Sequence, residues 1–253
     1  MRKWLLPLLA VVALLAIWEL YVKVSGISSL LLPAPQDVLK ALVDDRSTIW
    51  HNFKPTAAEI VLGLLLGSAL ALLAAVALHF SEIFREAFYP LLVASQAIPI
   101  PILAPLLVLW LGFTVLPTLV VIALVSFFPI VVTTLSALET VDPDLIKLMA
   151  TFDASRLQTF WRVELPSSLP GLFAGAKLAA VFSVLAAILG EQAGSSSGLG
   201  ELLTITESNY EMAEAFATVF VLSAFAILLF ALLTVAERRA LPWAYRLRDT
   251  EAR

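Results

Sequence analysis

The chain is a succession of apolar segments separated by short polar stretches, and about 20 apolar residues in a row is what a helix needs to cross a bilayer. In lipid every backbone N–H and C=O must be satisfied inside the protein, which leaves helices or closed barrels as solutions. Helical spans are predicted at about residues 4–22, 57–80, 90–112, 115–138, 169–190 and 212–235. The fold class expected is an all-α integral membrane protein with six transmembrane helices, one transmembrane domain over residues 1–253. Composition agrees: 60% of residues are hydrophobic, 14% are charged and the mean hydropathy is +0.95, too apolar for a soluble domain. The run from Trp4 to Val22 could be a cleaved signal peptide, but it is long and no small-x-small site follows, so it is read as the first span.

Several chemistries are excluded. There are no cysteines, hence no disulfides or thiolate metal sites. His51 and His79 are far apart in the chain, so no histidine metal site is expected. No G-x-x-x-x-G-K-[ST] loop is present, so any ATP is expected to be bound and hydrolysed by a partner. No catalytic residue, metal or cofactor is expected in this chain, and its surroundings are the lipid bilayer, not nucleic acid.

Within the spans a few residues stand out. Gly63, Gly67, Ala71 and Ala75 recur every four residues in the second span, either a close-packing seam within the bundle or towards a second copy, or a chance recurrence in a helix rich in Ala and Leu. The third span carries Ser95-Gln96 followed by Pro99, Pro101 and Pro105. Proline removes a backbone hydrogen bond and kinks a helix. In lipid that is tolerated only beside protein or a water-filled cavity, which predicts this span in the bundle interior, along a solute route. Lys177, the only charge read as clearly inside a span, lies about 10 Å along the helix from Pro170 and either snorkels to the interface or faces a cavity. Glu191 closes the fifth span, as a gate or route residue or as an interfacial carboxylate. The cluster Gly194 to Gly200 that follows is a flexible turn.

The longest polar interruption of the second half is the loop 139–168. Asp142-Pro143-Asp144 provides a cap and a first-turn proline. Leu145, Leu148, Met149 and Phe152 then form one apolar face, Asp153-Ala154-Ser155 a turn, and Leu157, Phe160, Trp161 and Leu165 a second face ended by Pro166. A helix-turn-helix of this kind between two spans is suited to docking a partner. An amphipathic loop lying on the membrane is the alternative.

This loop resembles the coupling loop of permease subunits of ATP-binding-cassette importers, in the branch of nitrate, sulfonate, taurine and thiamine-precursor permeases. The matches are Asp142-Pro143, Ala154-Ser155, Gln158, Phe160, Arg162, Leu165-Pro166 and Pro170. The departures are Lys147 where the family has Glu, Leu148-Met149 where it has two alanines, and Asp153 where it has Gly. Further similarity lies in Ile98-Pro99, Pro105-Leu106, Trp110 and Gly112, in Phe127-Phe128-Pro129-Ile130 with Thr133-Thr134, and in Glu191 with Gly194, Gly198-Leu199-Gly200. It covers about residues 31–240. The resemblance implies a type I ABC importer permease fold with a cytoplasmic coupling helix. It also implies a permease homodimer, a cytoplasmic ABC ATPase dimer, an extracytoplasmic solute-binding protein and alternating access driven by ATP.

By the same resemblance Lys147, Leu148, Met149, Phe152, Asp153, Ala154, Ser155 and Arg156 would meet the ATPase. Ser95, Gln96, Pro99, Pro101, Pro105 and Glu191 would belong to the translocation pathway. The solute expected is a pyrimidine precursor of thiamine, with nitrate, sulfonate or taurine as the alternative. A stand-alone secondary transporter or channel would need an internal repeat or a buried ionisable relay, and neither is visible. Basic residues set the orientation. Arg2, Lys3, Arg85, Lys147, Arg156, Arg162, Arg238, Arg239, Arg246, Arg248 and Arg253 share one side, and the 191–212 loop has none. Both termini and the 139–168 loop are therefore expected in the cytoplasm, with Lys23, Lys40, Arg46 and Lys54 a mild exception outside.

Overall fold

The computed structural model describes residues 2–244. Arg246, Arg248 and Arg253, used above for orientation, lie outside the described residues. The chain is all helical, with no strand among the described residues. Its elements are α1 (Arg2–Ser25), α2 (Pro35–Asp44), α3 (Arg46–Phe80), α4 (Glu82–Ser95), α5 (Ile100–Leu111), α6 (Leu116–Glu139), α7 (Pro143–Thr151) and α8 (Arg156–Thr159). A π-turn (Phe160–Glu164), α9 (Leu165–Gly194), α10 (Leu199–Ser208) and α11 (Met212–Ala240) complete the chain. Four helical rods are long and apolar enough to cross a membrane: Arg46–Phe80, Leu116–Glu139, Arg156–Gly194 and Met212–Ala240. The bent pair α4–α5 makes a fifth candidate if it counts as one span.

The architecture is organised by α6, which packs between α3 and α9. Small residues make this possible. Gly63 sits over Ile122 and Gly67 over Ala123 and Ser126, while Ala71 and Ala75 are fully buried. The small-residue stripe of the second span is thus an internal seam against α6. On the other side, a Cβ on Gly175 would overlap Thr133 Oγ1 and stand 2.8 Å from Ile130 Cα and 2.9 Å from the Pro129 carbonyl. Pro129 lies inside the continuous helix α6, and the Thr133 hydroxyl donates to the Pro129 carbonyl at 2.8 Å. The core divides along the helix axes. One cluster contains Ile60, Leu107, Val121, Ile122, Val184, Ala187 and Leu199, and the other Leu64, Leu78, Ile130, Val131, Leu135 and Ala180.

Two expectations need correction. The third span is not one kinked helix in the bundle interior but a break of 99° between α4 and α5. The bonds tighten to three-residue closures, with Gln96 N–H on the Val93 carbonyl, Ala97 N–H on that of Ala94 and Ile98 N–H on that of Ser95. Pro99 then offers no N–H and sits extended, with ψ 123. No residue of α4 is buried, and Ser95, Gln96, Pro99, Pro101 and Pro105 are all on the surface of the single chain.

The second helix of the 139–168 loop also does not end at Pro166. It runs on into the fifth span as one 39-residue rod. The reason is the π-turn, in which Leu165 N–H reaches the Phe160 carbonyl, so the wide turn comes immediately before the proline that lacks an N–H. Lys177 has a partner that the sequence did not suggest. Its ammonium pairs with Glu237 of α11 at 2.8 Å, inside the helix packing.

Filling the α6–α9 contact is expected to be costly. Gly175→Ala should destabilise the detergent-solubilised protein by roughly 1–3 kcal/mol, because a helix backbone must move. A thermal-unfolding midpoint unchanged from the parent would show that these helices do not approach so closely.

Candidate functional site

The 139–168 loop follows from its local sequence. Asp142 caps α7, its Oδ1 accepting from Asp144 N–H at 2.9 Å, and Pro143 occupies the first turn. The helix ends in a paired closure, with Asp153 N–H on the Ala150 carbonyl and Ala154 N–H on the Met149 carbonyl. Such a closure requires a left-handed residue, and Asp153 supplies it with φ +52. This is the place where the resembled family carries Gly, and Asp is among the few other residues that tolerate it. Ser155 and Gln158 then form a capping box that starts the next rod, with Ser155 N–H on Gln158 Oε1 at 2.9 Å and Gln158 N–H on Ser155 Oγ at 3.3 Å.

The two arms of the loop are treated differently. No residue of α7 is buried, and Leu145, Ile146 and Leu148 are exposed. Met149 is half-buried, and Phe152 just past the helix is 74% exposed. Lys147 spends its charge on Asp144, one turn away, at 2.8 Å with both side chains in solvent. The second arm is anchored. Phe160 is 2% exposed, with its ring 4.9 Å from that of Phe80 at the end of α3. A Phe buried in this way contributes about 1.5–3 kcal/mol. His79 Nε2 meets Glu164 Oε2 at 2.9 Å, and the Arg156 guanidinium lies 5.0 Å from the centre of the Phe80 ring. Arg85 ties the start of α4 to Glu139 at 2.9 Å. The loop therefore presents α7 as a free apolar ridge on a firmly held base.

Of the residues singled out from the sequence, Lys147 to Arg156 share this one segment. Ser95, Gln96, Pro99 and Pro101 gather at the α4–α5 break, and Pro105 lies one turn further into α5. Glu191 is not with them. It is fully buried near the far end of α9, where its Oε2 accepts from Gly200 N–H at 2.6 Å. Sequence reading missed Glu59, a second buried carboxyl, although a charge inside a predicted span was there to be seen. It also missed the His79–Glu164 contact, which joins residues 85 positions apart and has no local signature. Among the described residues no group of three His, Cys, Asp or Glu could hold a metal ion.

Comparison with known proteins agrees with this geometry. The chain is 35% identical over 238 residues to the formylaminopyrimidine transport permease protein ThiX of Halalkalibacterium halodurans, covering 94% of this chain and 95% of that protein. It is 34% identical over 224 residues to a probable ABC transporter permease protein of Haemophilus influenzae, covering 88% and 91%. In fold it is similar to a chain of the MetNI methionine ABC transporter in an inward-facing conformation, with TM-score 0.69 at 18% identity, over 78% of this chain and 98% of that one. Residues 63–242 match the family of binding-protein-dependent transport system inner membrane components. That match takes in the broken third span, the anchored loop and the long rods around α6, and the chain belongs to this family, the permease subunits of ABC importers.

Proposed function

We propose that this chain is the permease of an ATP-driven importer for a pyrimidine precursor of thiamine, and that α7 is its coupling helix. The observation that carries the coupling role is the uncovered ridge of Leu145, Leu148, Met149 and Phe152 on a base fixed by Phe160, His79 and Glu164. An apolar helix face at the end of two membrane rods needs a cover, and a cleft in a cytoplasmic ATPase supplies one. Lys147, Asp153, Ala154, Ser155 and Arg156 frame the ridge. Arg156 also touches the base, its guanidinium donating to the His79 carbonyl at 3.4 Å. A thiamine-precursor solute is favoured because a relative of 35% identity over nearly the full length is named for formylaminopyrimidine transport. Nitrate, sulfonate or taurine is the second reading.

In this proposal six crossings are made by α1, α3, the α4–α5 pair, α6, the Arg156–Gly194 rod and α11, with both termini in the cytoplasm. Two copies of the chain sit on two ATPase subunits, and a solute-binding protein delivers from outside. The route runs between the copies, past Ser95, Gln96, Pro99, Pro101 and Pro105. The exposure of these residues on a single chain supports that placing, because a break that frees backbone groups needs water or protein beside it. Glu191 belongs at the outer end of this assembly, holding a loop instead of lining the route.

Three measurements follow. Met149→Asp puts an unpaired carboxylate into the docking contact at a cost of roughly 3 kcal/mol, more than a hundredfold in binding. The variant should insert normally yet lose the ATPase on co-purification, while Asp153→Gly, which relaxes the left-handed turn, should retain it. Full retention by Met149→Asp would mean that α7 is not the docking element.

For topology, a cysteine introduced as Ser196→Cys should react with an impermeant reagent in intact cells and one introduced as Ser155→Cys should not; the reverse pattern would invert the orientation. For the route, cysteines introduced as Ser95→Cys and Gln96→Cys should react with soluble thiol reagents at rates that differ with and without ATP. Inertness of both would remove the α4–α5 break from the pathway.

A further inference from the structure

Asn52, Thr56 and Glu59 lie on one face of α3, at spacings of four and three, and Glu191 faces them from α9. Glu59 is 4% exposed and Glu191 is 0% exposed. Three of these four residues hold one short stretch of backbone. Asn52 Oδ1 accepts from Gly198 N–H at 3.2 Å, Thr56 Oγ1 from Leu199 N–H at 2.8 Å and Glu191 Oε2 from Gly200 N–H at 2.6 Å. Gly198 has φ +116, and a Cβ there would overlap the Glu191 carboxyl, so backbone and carboxyl are in direct contact.

Two oxygens are left over. Glu59 Oε2 and Glu191 Oε1 are buried and have no protein donor. Glu59 follows Thr56 by one turn of α3, and Thr56 and Glu191 hold the adjacent amides of Leu199 and Gly200, so the two buried carboxyls belong to one small polar cluster between α3 and α9. Among the described residues, no Lys, Arg or His lies within ion-pair distance of either. Two carboxylates side by side away from water repel, and no neighbouring cation compensates them. A single proton between them converts the repulsion into an O–H···O⁻ bond and gives both leftover oxygens a partner.

We propose that Glu59 and Glu191 share one proton, and that this bridged carboxyl pair is the clasp that fixes residues 195–200 and the start of α10 against α3 and α9. The clasp does not depend on which solute is carried. It places the retention of the outer loop under the control of a buried O–H···O⁻ bond contributed by two different rods.

The test uses the full chain in lipid vesicles. The infrared spectrum should contain a protonated-carboxyl C=O band that shifts in deuterium oxide. In Glu59→Gln the amide donates to Glu191 in place of the proton. That band should vanish while hydrogen exchange of the 195–203 segment stays at the parental rate. In Glu59→Leu no donor remains, and exchange of that segment should be about tenfold faster. The proposal is overturned if the band survives in Glu59→Gln, if Glu59→Gln loosens the segment as much as Glu59→Leu, or if Glu59→Leu exchanges like the parent. Should Glu59→Leu fail to insert, Glu59→Gln alone decides through its band and its exchange. Neither readout requires transport, so the result stands apart from the fate of the transport reading.

Discussion

The close approach of α3 and α9 to α6 is the contact on which the rest of the structure depends. Lipid gives apolar helices no hydrophobic reason to associate, so association rests on packing surfaces that can come within van der Waals reach. Gly63 and Gly67 on one side and Gly175 on the other supply those surfaces. Once the three rods are fixed, their ends are fixed too. Two polar features are built on those ends: the anchored loop on one side of the bundle and the carboxyl-bound loop on the other.

The rod from Arg156 to Gly194 links these two regions. Its first turns meet α3 through Phe160 and the Glu164–His79 contact, and at its far end Glu191 holds Gly200 of the same loop whose Gly198 and Leu199 are held by Asn52 and Thr56 of α3. Helix α9 also borders α11, where Lys177 and Glu237 face each other. A continuous helix joined to the same neighbour at both ends cannot shift at one end alone. The one irregularity within it is the π-turn at Phe160–Glu164, at the junction between the loop and the membrane rod. Local departures of this kind concentrate at functional joints.

The α7 ridge shows why a departure from a family signature need not mean a departure in structure. Asp153 stands where Gly is usual, yet it adopts the left-handed conformation that Gly would, and both closing hydrogen bonds form. Lys147 stands where Glu is usual, and its charge is taken up locally by Asp144. The backbone turn is kept while the charge at position 147 is not, and Leu148-Met149 in place of two alanines enlarges the apolar face.

Much of this was legible in the sequence because it depends on local periodicity. The apolar runs give the helices, Asp142-Pro143 gives the start of α7, and the three- and four-residue spacing of Leu145, Leu148, Met149 and Phe152 gives its free face. The four-residue repeat of small side chains gives the α3 seam. What the sequence alone could not decide was which of two allowed outcomes tertiary contacts would select. Proline at 99 and 101 permits a kink or a full break, and the absence of buried neighbours along α4 lets the chain turn through 99°. Pro166 permits an end or a continuation, and the π-turn before it selects continuation. Lys177 was visible as a charge inside a span and Glu191 as one at a span's end, but their partners lie 60 and 9 residues away, on elements whose positions only the packing of α6 determines. Periodicity is a property of neighbours in the chain, whereas the partner of a buried charge is a property of neighbours in space.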